Sequence, residues 1–437
     1  MKNFHLPLYI FLLSLFSFTS ATAQRGMDFS GEINIKGAGS NGERLPFWMY
    51  HNQRGRLSED SNISSWISTK ATKTFASGDT LQFGGGLLYH DGIGDDIFID
   101  ELYAMYQTHW LRIQLGRKQD EQLYNGLSSS NRSILKSLNA RPLPGIEVRS
   151  RNPLFGEKGY GLGFDFSWGE YYLGEEGQVQ DIRVHHKSFH MVYRTEDDLQ
   201  LKGGLVHYAQ WAGETASRKK PGDLENYFRV AAGNGGANHI MGWEASLSKS
   251  FDTFYVEAFY QHIMEDGSGP KLGNAPDGRY GIFLKSADPN KFFNSIMYEF
   301  YTTHNKSRGV DGLPDNYFND AFYTSGWTYE NRVIGAPFFT TDPEGEGIVN
   351  NRFTVHHLGI GGQPHTYFET FPFRFLASYA RNEGTYAEGY EEAQDVISLF
   401  YEQRVYQGFL EVSFQAGMEF NPEEGIYGLG VKVRKEF

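Results

Sequence analysis

The side chains able to carry chemistry are numerous, but they form none of the familiar catalytic patterns. The chain has 14 His and 53 Asp and Glu residues but no Cys, which excludes a thiolate nucleophile and a Cys-ligated metal. It contains neither a G-x-S-x-G elbow nor an H-E-x-x-H pair, the motifs that would support serine-hydrolase or zinc-protease chemistry. We therefore predict a protein that is not an enzyme and uses no cofactor.

Two histidine pairs and two carboxylate pairs come closest to a metal or acid–base site. They are His185-His186, His356-His357, Asp95-Asp96 and Glu265-Asp266. Adjacent side chains on a β-strand point to opposite faces, so neither histidine pair can chelate one ion by itself. Adjacent carboxylates are common in solvated turns, and we interpret both acidic pairs in that way. No metal site is predicted.

A mixture of aromatic and short polar side chains in residues 304–350 could instead recognise carbohydrate. Aromatic rings stack on the C–H faces of sugars, and amides, carboxylates and guanidinium groups bond to hydroxyls or pair with uronic acids. We predict a polysaccharide-binding site formed by Asp315, Asn316, Tyr317, Trp327, Tyr329 and Arg332. The alternative is that these rings only pack the long connection against the rest of the fold.

The N-terminus predicts export. Lys2 precedes an apolar stretch at residues 6–18, and Ala21-Thr22-Ala23 then offers the small residues of a cleavage site. This pattern is typical of a secretory signal peptide, predicted at residues 1–23, with residues 24–437 as the mature protein. No later segment has enough consecutive apolar residues for a transmembrane helix, so a membrane could be crossed only by a closed barrel.

Composition and patterning favour such a barrel. Aromatic residues make up 16% of the chain and there are 51 Gly, which suits interfacial girdles and close strand packing. Segments 254–264, 292–303, 371–379, 397–405 and 409–420 have about the length of a tilted membrane strand. The final segment alternates apolar and charged residues up to Phe437, as the last strand of such barrels does. We predict one all-β domain, a transmembrane outer-membrane β-barrel of antiparallel strands.

Connection lengths predict the orientation of the strands. Counting back from Phe437, short turns at 405–407, 361–365, 286–290, 250–252 and 195–198 alternate with long connections at 383–392, 304–350, 265–277 and 212–239. Short turns face the periplasm and long loops face outwards in bacterial barrels. A second count of the strands, made forward from the short turns at 76–79 and 108–110, assigns them the opposite direction. A partly helical segment at 119–142 entering the lumen, or an overlooked strand, would resolve the mismatch.

Several short blocks, in order along the mature chain, resemble the Wzi family of capsule-assembly proteins. The blocks are Pro46-Phe47-Trp48-Met49 with Asn52 and Gly55; Gly116-Arg117-Lys118, Leu127-Ser128-Ser129 and Ser137 to Pro144; His185-His186-Lys187; Asp315 to Asn319, Ser325 to Tyr329 and Val333 to Pro337; and Asn350-Asn351-Arg352 with His356 to Gly359. Each block is short, and their shared order makes the resemblance specific.

The resemblance implies an outer-membrane barrel of about 18 strands with small helical elements in or at the end of the lumen. It also implies a lectin-like protein that binds capsular or surface polysaccharide and helps to retain or assemble it at the surface of a Gram-negative cell. The expected partners are this polysaccharide and outer-membrane lipid, with a monomer as the expected state. The net charge of -13 argues against nucleic acid. The alternative function is an outer-membrane porin or channel for small solutes.

Overall fold

The computed structural model describes residues 26–92, 97–220, 237–265, 272–305, 314–343, 345–364 and 370–437. The predicted signal peptide, Asp95-Asp96 and Asp266 lie outside these ranges. Within them, no helix is long and apolar enough to cross a membrane.

In the described part of the chain, eighteen antiparallel strands form one closed barrel. Its strands are β1 (Asp28–Ser40), β2 (Ile63–Thr74), β3 (Thr80–His90), β4 (Ile97–Gln107), β5 (Leu111–Arg117), β6 (Gly145–Ser150, continued by Leu154–Phe155), β7 (Gly161–Glu176), β8 (Val179–Arg194), β9 (Leu199–Trp211), β10 (Asn238–Ser250), β11 (Phe254–His262), β12 (Gly278–Ser286), β13 (Phe293–Thr302), β14 (Phe353–Gly362), β15 (Phe373–Gly384), β16 (Gly389–Gln407), β17 (Glu411–Phe420) and β18 (Gly425–Glu436). The barrel closes where β1 pairs with β18, from Glu32 opposite Glu436 to Ser40 opposite Gly428. Closure pairs the edge strands, as a lipid environment requires.

The side chains alternate between a lipid-facing and a lumen-facing set. On β17, Phe414 and Met418 are exposed on the outer face, whereas Gln415 and Glu419 are buried inside. Tyr427, Leu429 and Val431 of β18 are likewise exposed. This confirms the predicted alternation of the last strand, and β17 shows the same pattern, since apolar groups at every second position suit lipid while the polar set stays in the lumen.

The two ends of the barrel differ in their connections. One end, which we call the turn end, carries the short turns, including those at residues 75–79, 108–110 and 195–198. The opposite loop end carries most of the long connections. The mismatch in the sequence count arises because β7 and β8 are two full strands joined at the loop end by only two residues, 177–178. By the convention of bacterial barrels, the turn end faces the periplasm.

Three connections at the loop end fold back into the lumen, and together we call them the plug. They are residues 41–62, 118–144 and the described part of 314–352. Their apolar side chains pack against inward-facing wall residues such as Tyr208 and Phe400 in one buried cluster. The main hydrophobic core of this molecule therefore lies inside the barrel, where the plug meets the wall.

The predicted small helical elements are present in the lumen, but residues 119–142 are mostly irregular and hold less helix than the sequence indicated. Regular helix in the plug is limited to one turn at Phe47–Tyr50 and a 3-10 turn at Tyr124–Gly126. Asn125, Gly126 and Asn131 have left-handed backbone conformations, with φ of 56°, 73° and 52°. Such residues end a helix rather than continue it.

Glycines on the inner wall let the plug approach the strands closely. A Cβ on Gly359 would lie 2.5 Å from the carbonyl oxygen of Leu127, and one on Gly428 would lie 2.6 Å from Met49 Sδ. Gly359-Ile360-Gly361-Gly362 form the end of β14, so the short turn predicted at 361–365 starts two residues later than expected. Their lack of side chains serves close packing against the plug and not a reversal of the chain.

Candidate functional site

The predicted aromatic residues lie inside the plug rather than on its surface. Trp327 and Tyr317 have no exposed area, and Tyr329 is 3% exposed. Trp327 donates a hydrogen bond from Nε1 to the carbonyl oxygen of Leu135 at 2.7 Å, and its ring lies 5.5 Å from the ring of Tyr208 on β9. In this structure these rings pack the plug. Sugar binding by this set of residues stays a prediction.

Asp315 and Tyr317 belong to a buried cluster of hydrogen-bonded polar side chains at the loop end, which we call the polar cluster. Asn274 donates to both, at 2.6 Å to the Asp315 carboxylate and 2.7 Å to the Tyr317 hydroxyl. Tyr317 in turn donates to Asp277 at 3.0 Å. Burial and the neighbouring Asp277 carboxylate raise the pKa of Tyr317 well above its usual range, so the phenol stays protonated and donating.

Besides Trp327, the predicted residues Tyr329, Arg332 and Asn316 also lie apart from this polar cluster or at its margin. Tyr329 and Arg332 pair across a small hairpin, Thr328–Tyr329 with Arg332–Val333. Arg332 is half-buried and donates to the carbonyl oxygen of Leu57. Asn316 is exposed and accepts a 2.7 Å hydrogen bond from Asn351. Of the six predicted residues, Asn316 and Arg332 therefore keep polar groups accessible to a ligand.

A buried ion pair anchors the plug to the wall. Arg279 of β12 and Glu299 of β13 approach to 2.7 Å, with their side chains 2% and 0% exposed. The Glu299 carboxylate also accepts hydrogen bonds from the Ser128 hydroxyl at 2.8 Å and from the Ser129 amide and hydroxyl at 2.6 Å. The carboxylate is thus bonded to both the wall and the plug. A buried charge that is this well satisfied is costly to disturb.

A cleft lies between residues 41–62 and 118–144 of the plug and the wall at β15; we call it the amide cleft. It contains about 350 Å³ of empty space, part of it open to solvent. Its polar lining consists mainly of His51, Asn52, Gln53, Gln122, Ser128, Asn131 and Arg374. None of the described residues that line it is acidic. The room left inside it for water-sized spheres is about 20 Å³, which is enough for about one water molecule.

Two groups in the amide cleft can accept hydrogen bonds. Asn52 Oδ1 is buried without a hydrogen-bond partner among the described residues. His51 is bonded through Nδ1 to Asn139 Oδ1 at 2.8 Å, while the Asn139 amide nitrogen donates to Val333. His51 must therefore donate from Nδ1, which leaves Nε2 as an acceptor. Burial and the nearby Arg332 charge lower the pKa of His51 to about 3, so the ring is neutral.

The remaining lumen wall is strongly charged. A second cleft, with about 320 Å³ of empty space, is lined by Arg132, Lys202, Glu244, Glu257 and Arg279 among others. Closer to the turn end, ion pairs join neighbouring strands, such as Arg374 with Glu402 at 2.6 Å and Arg434 with Glu32 at 2.7 Å. Within the described ranges, no three His, Asp or Glu side chains converge as metal ligands would.

Sequence reasoning missed both the Glu299 anchor and the amide cleft. Glu299 is the only charged residue of β13, and a charge at such an inward position was the available signal. For the cleft there was a weaker signal, since Asn52 and Gln122 belong to segments without periodicity. Their convergence depends on contacts between residues far apart in sequence, such as Asn52 with Ser129.

No family model matches this chain, and no curated protein matches it in sequence. The fold does match solved structures. One is Wzi of Escherichia coli, described as an outer-membrane protein involved in group 1 capsule assembly and a carbohydrate-binding β-barrel, with a TM-score of 0.61, 10% identity, and coverage of 92% of this chain and 83% of that one.

Two Pseudomonas aeruginosa proteins match with a TM-score of 0.51. They are OccK5, at 10% identity over 94% of this chain and 98% of that one, and OccK3, at 12% identity over 94% and 95%. At such identities the likeness establishes the fold alone. The chain is thus an outer-membrane β-barrel similar to both Wzi and OccK barrels.

Proposed function

We propose that this barrel is a member of the Wzi group that binds surface polysaccharide and helps to retain or assemble it, without catalysis. The observation that carries the proposal is the plug. Residues from three connections fill the lumen with a packed apolar core, whereas a diffusion channel needs a water-filled path. The similarity to the carbohydrate-binding Wzi barrel supports the same function.

A channel for small solutes is the second candidate. The charged wall favours it, because ion pairs such as Arg374 with Glu402 and Lys202 with Asp165 line the lumen below the plug. Rings of charged side chains select ions and solutes in pores. The similarity to the OccK barrels is compatible with this alternative.

Conductance measurements separate these two functions. We expect the purified protein in a planar bilayer to show no large and steady current, because the plug is anchored by a buried ion pair and by packing. An open outer-membrane porin, reconstituted in the same bilayers, serves as the positive control. A steady and well-populated open state of this protein would contradict the proposal and favour the channel.

The capsule role is tested by deleting the gene in its capsulated host. We expect polysaccharide to move from the cell surface into the medium, with total synthesis unchanged, because a binding protein affects retention and not polymerisation. Surface and released polysaccharide would be measured separately, and complementation with the wild-type gene is the control. Unchanged surface polysaccharide in the deletion strain would contradict the proposal.

A further inference from the structure

Two arginines lie opposite each other inside the barrel at the turn end, and we call them the arginine pair. Arg112 of β5 is paired in register with Arg149 of β6. The next residue, Ile113, is exposed on the lipid face, so Arg112 points into the lumen, and Arg149 does the same because paired residues share a face. Arg112 follows the turn at 108–110 by two residues, and Arg149 is the second-last residue of β6. Both therefore lie at the mouth of the lumen.

The nearby carboxylates compensate these two charges only weakly. Glu147 lies 3.4 Å from Arg149, and Glu121 lies 3.7 Å from Arg112, whereas a charge-assisted hydrogen bond is about 2.7–2.9 Å long. Glu147 already accepts a hydrogen bond from the Tyr171 hydroxyl at 2.8 Å, and the Glu121 side chain is 68% exposed. Like charges directly opposite each other destabilise a sheet, and here the protein leaves much of that repulsion in place.

Other arginines of the lumen are bonded more closely to carboxylates. Arg374 approaches Glu402 to 2.6 Å, and Arg404 approaches Glu411 to 2.7 Å. Within the described ranges, the Arg149 guanidinium donates no hydrogen bond, and its side chain is 38% exposed. The arginine pair is thus distinguished by donors that solvent in the lumen can reach.

We propose that the arginine pair binds an oxyanion, a carboxylate or a phosphate group, that enters the lumen at the turn end. A guanidinium group presents parallel N–H donors that match two oxygens of one such group. Residues paired across strands have Cβ atoms about 5 Å apart, so one oxyanion can contact both side chains and offset their mutual repulsion. Arg112 also donates to the Gln107 amide oxygen at 3.2 Å, which orients this guanidinium before an anion binds.

The residues beside the arginine pair are neutral and polar. Gln107 of β4 pairs with Arg112, and Ser167 of β7 pairs with Arg149, so an amide and a hydroxyl flank the two charges on the same inner face. Such groups bond to the hydroxyls that accompany a carboxylate or a phosphate. The net charge of -13 opposes anion binding only weakly here, because charges more than about 8 Å away are largely screened at physiological ionic strength.

Calorimetric titration of the full-length barrel in a zwitterionic detergent tests this site. The probes are inorganic phosphate, galacturonate and trigalacturonate, with maltotriose as the neutral comparison. We expect at least one of the three anions to bind, with an affinity that falls as salt is raised, and maltotriose not to bind. Tighter binding of phosphate than of galacturonate would identify a small free anion as the ligand. Tighter binding of trigalacturonate than of galacturonate would identify an acidic polymer.

Arg149→Gln is the test variant and Arg404→Gln is its matched control. Arg149→Gln should weaken binding about tenfold, the effect of losing hydrogen bonds between charged groups. It should fold, because this side chain is partly exposed and lacks a hydrogen bond within the described ranges. Arg404→Gln makes the same change of charge in the lumen at a guanidinium that is already bonded to Glu411, so the affinity should stay within about twofold of the wild type.

Three results would overturn the proposal. They are the absence of anion binding to the wild-type protein, equal affinities of the wild type and Arg149→Gln, and equal losses in Arg149→Gln and Arg404→Gln. The last result would indicate general attraction by the charged lumen and not a site. Faster migration of each unboiled variant on a denaturing gel would verify that the barrel is closed. The site does not depend on the proposed function, since the loss of surface polysaccharide on gene deletion is measured without these variants.

Discussion

Replacing Glu299 with Ala is expected to release the middle segment of the plug from the barrel wall. The change leaves Arg279 as a buried charge whose partner carboxylate is gone, and it removes three hydrogen bonds from Ser128 and Ser129. Breaking a buried pair on one side costs about 3–5 kcal/mol. We expect intermittent currents in planar bilayers and faster proteolysis near residue 130, while the barrel itself stays closed.

Two further variants control for nonspecific damage. Glu383→Ala breaks a partly exposed ion pair with Arg352, at 2.7 Å and 26% and 25% exposed, and should cost less than about 1 kcal/mol. Replacing Arg279 and Glu299 together with Met and Leu removes both charges, so it should be milder than Glu299→Ala alone. If Glu299→Ala leaves conductance and proteolysis unchanged, the ion pair does not hold the plug.

Replacing Trp327 with Ala is expected to have an effect of similar size through packing. The indole is fully buried, contacts Tyr208 of the wall and donates to Leu135. Removing a large buried aromatic typically costs about 3–5 kcal/mol because a cavity remains. We expect a loosened plug, seen as channel activity and as increased hydrogen exchange at residues 134–138.

This expectation changes how a capsule phenotype of Trp327→Ala must be interpreted. Loss of retention in that variant would follow from a disturbed plug without any sugar contact at the indole. Asn316→Ala is the informative partner, because Asn316 is exposed and its loss should leave the plug packed. Capsule shedding by Asn316→Ala with an intact plug would support the predicted site in 304–350. An unchanged melting profile and conductance of Trp327→Ala would contradict the packing role.

The amino-acid pattern alone determined the class of fold and the faces of its strands. Alternation at every second residue separates lipid from lumen on β17 and β18, because successive side chains of a strand point to opposite sides. Connection lengths also gave the direction of most strands. The strand count from the sequence was wrong at the two-residue link between β7 and β8. A connection this short at the loop end resembles a turn of the opposite end.

Only the tertiary structure decided what fills the lumen and where a ligand could bind. The plug is irregular, so no periodicity predicted its path, and it is held by contacts such as Glu299 with Ser129, which are 170 residues apart. Trp327 and Tyr329 are aromatic residues of the kind that stack on sugars. Whether they are exposed or buried depends on which residues they contact in the folded barrel. Asn52 and Gln122 are unremarkable in sequence and become a cleft only when closure of the barrel brings their two segments together. Local sequence carries the strand period, whereas convergence inside a barrel is a property of the whole closed sheet.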